Sequence, residues 1–441
     1  MNFKNKKPLF FFSSNKVFAF SMICAFIVLL VEMYLNTGNL SAYAVTLKNP
    51  AIAEGYIVNF DYVHYECNYN FIIGENASKW QNGWVLRREL FYILSFPFFK
   101  FFGFYVGGLL SAFIITLVSF YFFIKFVFKN MGIRSAYLTM AILATYPGIM
   151  YWIGSPFAQV MIVPCCCWIY VLMWKMNQTD SFKKHVIYLV FISIMFTAYD
   201  LFIFFYPAIV IIYLRHREWK KMIVSFPIMI IPQILIILWF RYFGVTELKS
   251  QNSGLYMTII KSYFNVDDFS NWFEIMAQAP GYLLSNYLDS NFFFLPLLFS
   301  ILVIWGYFKK KRLNEIEWSI LLSALMVFLF TNMAPFYHAE VQLRGEWLAR
   351  LYQPVFIVML MYVVRFTSQL LEEKSTHVKY GVALFVLCVG FNLAINVGGI
   401  LRSKLTQRAW YRFYMHAPRN TMAKNLNEFG TRPVGFPKKR R

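Results

Sequence analysis

Apolar runs of about twenty residues recur along the chain, separated by short basic clusters and long polar intervals, and this pattern predicts membrane-spanning helices. The runs are Val17–Leu35, Phe104–Ile124, Ala136–Ile153, Phe157–Trp174, Ile223–Trp239, Phe292–Phe308, Trp318–Met333, Val355–Arg365 and Tyr380–Leu401, with Val186–Leu214 a longer run between the fourth and fifth. A helix satisfies its backbone polar groups internally, as the bilayer requires, and the alternating ten-residue segments of a barrel are absent. The fold class is therefore all-α, a polytopic membrane protein of about 11 transmembrane helices, within a range of 10–13.

Val186–Leu214 has two readings. As one helix it puts Asp200 near mid-membrane and places basic clusters on opposite sides; as two short helices meeting at Thr197-Ala198-Tyr199-Asp200 it keeps both clusters on one side. The hairpin is preferred. The aromatic, Pro-broken stretch FYILSFPFFKFF before Phe104 suits a short amphipathic helix at the interface.

Three polar intervals remain: 36–89, 241–291 and 334–354. With the lysines before the first span in the cytoplasm, parity puts all three outside. Residues 1–401 then form one transmembrane domain and 402–441 a basic tail, outside by the same parity.

Composition sharpens this picture. The chain is 59% hydrophobic and 21% aromatic, with a mean hydropathy of +0.51, more than a soluble core of 441 residues needs. Its net charge of +21 lies in clusters between spans, which is the signature of headgroup contact and not of nucleic-acid binding. Cys165, Cys166 and Cys167 are consecutive within an apolar run and read as small hydrophobes. There is no phosphate-cradling Gly-rich loop, HExxH or CxxC pair, which argues against an ATP-driven pump, a zinc protease or a thiol oxidoreductase.

Candidate chemistry concentrates in the first and last intervals. The first carries Glu54, Asp61, Glu66, Glu75 and Glu89 in a chain with only 14% charged residues. Asp61, flanked by aromatics and close to Tyr62, His64 and Glu66, suits a general base, with Glu66 and Glu54 as rivals. Arg87 and Arg88, just before the membrane, suit contact with a phosphate, an acceptor or lipid, and simple interfacial anchoring accounts for them equally well. In the last interval His338, Arg344 and Arg350 lie close together, and RLYQP runs straight into a span.

This layout resembles the GT-C superfamily of integral membrane glycosyltransferases, which includes the protein O-mannosyltransferases and the aminoarabinose transferases. The resemblance rests on the long acidic first external loop, the short turn after the YPGIMYW span and the late RLYQP, and it covers most of residues 1–400. It implies a polyprenyl-phosphate-linked sugar donor, an acidic base in the first loop at Asp61, and a late arginine on the donor phosphate at Arg350, with Arg344 beside it. The turn between spans three and four has no acid, so no metal and no cofactor are expected.

The function expected is transfer of a sugar to a glycolipid, polysaccharide or protein at the outer face, most naturally of a bacterial inner membrane. Two alternatives stand beside it. One is a polymerase or ligase of pyrophosphate-linked glycans; the other is a transporter, which would show ionisable residues within spans and internal repeats.

Overall fold

The computed structural model describes residues 18–19, 21–28, 31, 89–146, 158–199, 202, 204–242, 294–332, 353–372 and 378–394. Among them all regular structure is helical. The helices are α1 (residues 21–28), α2 (Glu89–Thr145), α3 (Ile162–Asn177), α4 (Phe182–Met195), α5 (Phe205–Arg215), α6 (Trp219–Tyr242), α7 (Phe294–Phe308), α8 (Glu315–Asn332), α9 (Gln353–Glu372) and α10 (Val378–Ala394). Three stretches, Val106–Thr145, Trp219–Ile236 and Pro354–Glu372, are long and apolar enough to cross a membrane. The protein is an integral membrane protein.

α2 is three helical pieces joined at Gly103 (φ 74°) and Gly132 (φ 87°). A side chain is disfavoured at such φ, so glycine is what permits each break. The first piece, up to Gly103, is not the amphipathic helix expected but is apolar on both faces: Phe91, Tyr92 and Phe99 are buried with Ser95, while Ile93, Leu94, Phe96, Phe101 and Phe102 are exposed, as suits a lipid-facing helix. It folds back closely on the next piece, because a Cβ at Gly107 would sit 2.5 Å from the Phe98 carbonyl oxygen. The loop expected around Lys125–Arg134 is instead helix up to Gly132.

The hydroxyls within α2 are returned to its own carbonyls. Thr116 donates to Ala112 O at 2.8 Å, Thr139 to Ser135 O at 2.8 Å and Thr145 to Ala141 O at 2.8 Å. That satisfies a polar group where no water is available. Between helices, Trp168 Nε1 donates to Ser119 Oγ at 3.1 Å.

The run at 186–214 is a hairpin. α4 and α5 are separated by an irregular segment, and His185 at the start of α4 packs on Tyr213 at the end of α5, ring centroids 5.4 Å apart. Both basic clusters therefore meet on one side. Asp200 lies outside the described residues.

Other contacts place further loops on that same face. Arg134 donates to Leu371 O at 3.4 Å, Phe18 stacks on Phe128 with centroids 5.0 Å apart, and Arg215 Nε lies 3.5 Å from Glu315 Oε1. One end of the bundle thus gathers Phe18, the α2 bend at Gly132, both ends of the α4–α5 hairpin, the α7–α8 turn and the end of α9. This is the arrangement that the basic clusters predict.

α9 is the axis of the bundle. It packs against α2, α3, α7 and α8, and 83% of its apolar window is buried, against 11% for α6, which lies at the lipid-facing perimeter. Val355 to Val364 are buried without interruption. The span ending at Arg365 in the sequence pattern instead continues to Glu372. A charge normally marks the end of a span, but the Arg365 guanidinium is neutralised by Glu317 at 2.5 Å, so the helix runs through it.

Candidate functional site

Every site residue proposed from the sequence, Glu54, Asp61, Tyr62, His64, Glu66, Arg87, Arg88, His338, Arg344 and Arg350, lies outside the described residues. The structure describes the helices that carry those intervals. The first interval opens into α2 at Glu89, and the last opens into α9 at Gln353. α9 borders α2 through the last of the three α2 pieces, at Arg134–Leu371 and at Tyr146. At the end away from the basic face they are joined by Tyr146, one residue beyond α2, whose ring stacks on Phe356 with centroids 3.8 Å apart. An aromatic pair of this kind contributes about 0.5–1.5 kcal/mol beyond its buried area.

Glu89 is the acid of the first interval that the structure does describe. It is fully buried, and among the described residues neither carboxylate oxygen has a hydrogen-bond partner. Ser95 Oγ, two turns along the same helix, is also buried without one. Buried polar atoms are normally paired, so a carboxylate with no partner among the described residues is a position that calls for one, and Glu89 joins the candidate site residues. The sequence offered a signal for it: Glu89 is the acid that directly abuts the aromatic stretch.

At the basic end the structure builds a second polar constellation. Asn314 and Glu317 form a capping box at the start of α8: the Glu317 amide donates to Asn314 Oδ1 at 2.8 Å, and the Asn314 amide donates to Glu317 Oε2 at 2.8 Å. Glu317, fully buried, also accepts from Arg365 Nη2 at 2.5 Å and from Tyr170 Oη at 3.5 Å, while Asn314 Nδ2 donates to Tyr170 Oη at 3.2 Å. Arg365 Nη2 reaches the Arg312 carbonyl at 3.2 Å as well.

One carboxylate thus ties α3, α8, α9 and the α7–α8 turn together. This cluster is a lock on the packing and not a reaction centre, because its donors and acceptors are spent on one another. The N-x-x-E spacing that announces the box was present in the sequence and went unread. The Arg365 partnership had no local signal.

Cys165, Cys166 and Cys167 are free and buried in α3, packed as small apolar side chains in the core. Among the described residues no three His, Cys, Asp or Glu side chains converge as a metal-binding group.

No protein-family model matches the sequence, and no curated protein matches it. Among solved structures the chain is similar to ArnT from Cupriavidus metallidurans in the apo state, with 12% identity and a TM-score of 0.43, over 80% of this chain and 70% of that one.

Proposed function

We propose that the chain is a membrane glycosyltransferase of the GT-C kind, which moves a sugar from a polyprenyl-phosphate carrier to an acceptor at the outer face of a bacterial inner membrane. The observation that supports this best is the way the two chemically rich intervals are anchored. They lead into α2 and α9 of one bundle, and the first of them ends on the buried carboxylate of Glu89, which has no hydrogen-bond partner among the described residues. A lipid-borne donor suits such a mouth, because its tail stays in the bilayer while its sugar meets wet loops.

In this reading Asp61 takes the proton from the acceptor hydroxyl as that oxygen bonds to the anomeric carbon and the bond to the carrier phosphate breaks; Glu66 and Glu54 are its rivals. Arg344 and Arg350, with His338, stabilise the departing polyprenyl phosphate. Arg87, Arg88, Tyr62 and His64 border the acceptor or the lipid. A single displacement inverts the anomeric carbon. Residues 1–401 form the catalytic unit and 402–441 the basic tail.

The test is transfer of labelled sugar from polyprenyl-phosphate donors by the purified chain in bacterial membranes. Release of polyprenyl phosphate with label entering an acceptor supports the reading. Absence of release with pentosyl and hexosyl donors alike contradicts it.

A further inference from the structure

At the basic end, beside the Glu317 lock, the α7–α8 turn and α9 enclose a cleft of about 250 Å³. Lys310, Lys311, Arg312 and Arg365 line it, with Tyr362 and Gln369. No carboxylate does so among the described residues, and the nearby Glu317 is engaged by Arg365 and the Asn314 amide. With Arg365 paired to Glu317, the cations that the cleft offers a ligand are chiefly Lys310 and Arg312, with the Gln369 amide beside them. Drug-sized ligands take roughly 300–1,000 Å³, so this volume suits a single small anionic group.

The turn that presents the cations is fixed in shape. Lys311 N donates to Gly306 O at 2.8 Å and Lys310 N to Tyr307 O at 3.2 Å, the paired bonds of a Schellman cap. Its left-handed position is Lys310, at φ 56°, where glycine is the usual and less strained residue. Tyr362 clamps the same turn to α9, donating to Lys311 O at 3.0 Å and to Leu302 O at 3.2 Å. Gly306 is where Tyr362 Oη comes closest, with no room for a Cβ. The backbone at Lys310 is thus held by the cap and by Tyr362 at the mouth of the cleft, which fixes where its side chain leaves the turn.

The last turn of α7 also turns apolar side chains outward: Ile304, Tyr307 and Phe308 are 63%, 74% and 76% exposed. Exposed aromatics directly preceding a cationic turn are the pattern of a membrane interface, with acyl chains beside the rings and headgroups beside the cations. We propose that this cleft binds the phosphate of an anionic phospholipid headgroup, with the acyl chains lying along Ile304, Tyr307 and Phe308. A soluble phosphate compound shares the phosphate chemistry but has no use for that apolar flank. The proposal stands independently of the glycosyltransferase reading.

The test uses the full chain purified in neutral detergent and native mass spectrometry of bound lipid. The probes are dioctanoyl phosphatidylglycerol, dioctanoyl phosphatidylcholine and inorganic phosphate. Wild type is compared with Lys310→Gln/Arg312→Gln, which removes two cleft cations, and with Lys183→Gln/Lys184→Gln, which removes two cations of the same face away from the cleft. Each basic residue near a headgroup contributes enough that losing two at a built site weakens binding about tenfold or more.

The expected result is that loss of phosphatidylglycerol affinity for the cleft pair, a change under about twofold for the distant pair, and no retained phosphatidylcholine. Equal losses in the two variants would mean diffuse attraction and overturn the site. Inorganic phosphate binding as tightly as the lipid would overturn the lipid as its occupant. Circular dichroism of both variants guards against misfolding. If the cleft variant is misfolded, Lys310→Gly, which relieves the turn while removing one cation, is put to the same comparison.

Discussion

Arg365 on α9 and Glu317 on α8 meet at 2.5 Å, the carboxylate fully shielded and the guanidinium side chain about one-quarter exposed. The pair sits where Tyr170, Asn314 and the Arg312 carbonyl also converge. Breaking a buried pair by removing one member strands a charge, whereas removing both strands none. Arg365→Ala is therefore expected to destabilise the protein by about 3–5 kcal/mol, and Arg365→Met with Glu317→Leu by much less. Thermal unfolding in detergent reads both, and equal losses would mean that the pair does not act as a lock.

The capping box makes a smaller, separable contribution. Asn314→Ala removes the side-chain acceptor of the Glu317 amide and should cost about 1 kcal/mol, seen as a lowered melting temperature with the Arg365 contact retained. Asn314→Asp should hold most of it. If Asn314→Ala melts with wild type, the box is not a stabilising element.

Glycine positions separate conformational from steric demands. Gly132→Ala forces a side chain into left-handed backbone although nothing lies within 4 Å of the new Cβ, and is expected to cost about 1–2 kcal/mol. Gly107→Ala meets the Phe98 carbonyl and should loosen the first piece of α2. Gly390→Ala, in α10 with open space around it, should be neutral or slightly stabilising. Melting temperatures that rank the three differently would contradict the α2 geometry.

The hairpin of α4 and α5 predicts sidedness. Lys183→Cys and Lys220→Cys should both react with a membrane-impermeant maleimide in inside-out vesicles and neither in right-side-out ones, because His185 and Tyr213 hold the two ends together. Labelling from opposite sides would make Val186–Leu214 a single crossing.

Much of the fold was legible because its signals are local. Apolar runs, basic clusters and the proline-broken aromatic stretch each act within about twenty residues, and the side of the α4–α5 ends followed from the clusters alone. What escaped was non-local or conformational. Arg365 looked like the end of a span because its partner, Glu317, is 48 residues away in the chain. The bend at Gly132 replaced an expected loop because one left-handed glycine suffices to end a helix. The candidate site was legible only as composition: the first interval offers several acids, and only the flanking aromatics favour Asp61 over Glu54 or Glu66. Glu89 is marked in the sequence only by abutting the aromatic stretch, and its burial is what sets it apart.

The central claim is tested most directly by sugar transfer from a labelled polyprenyl-phosphate donor, comparing wild type with Asp61→Asn and Arg350→Ala at matched expression. The account predicts that Asp61→Asn keeps donor binding and loses turnover by about a hundredfold or more, as befits a general base, while Arg350→Ala weakens donor binding. Transfer by both variants at the wild-type rate would contradict the assignment of these residues, and no transfer by wild type from any such donor would contradict the reaction itself.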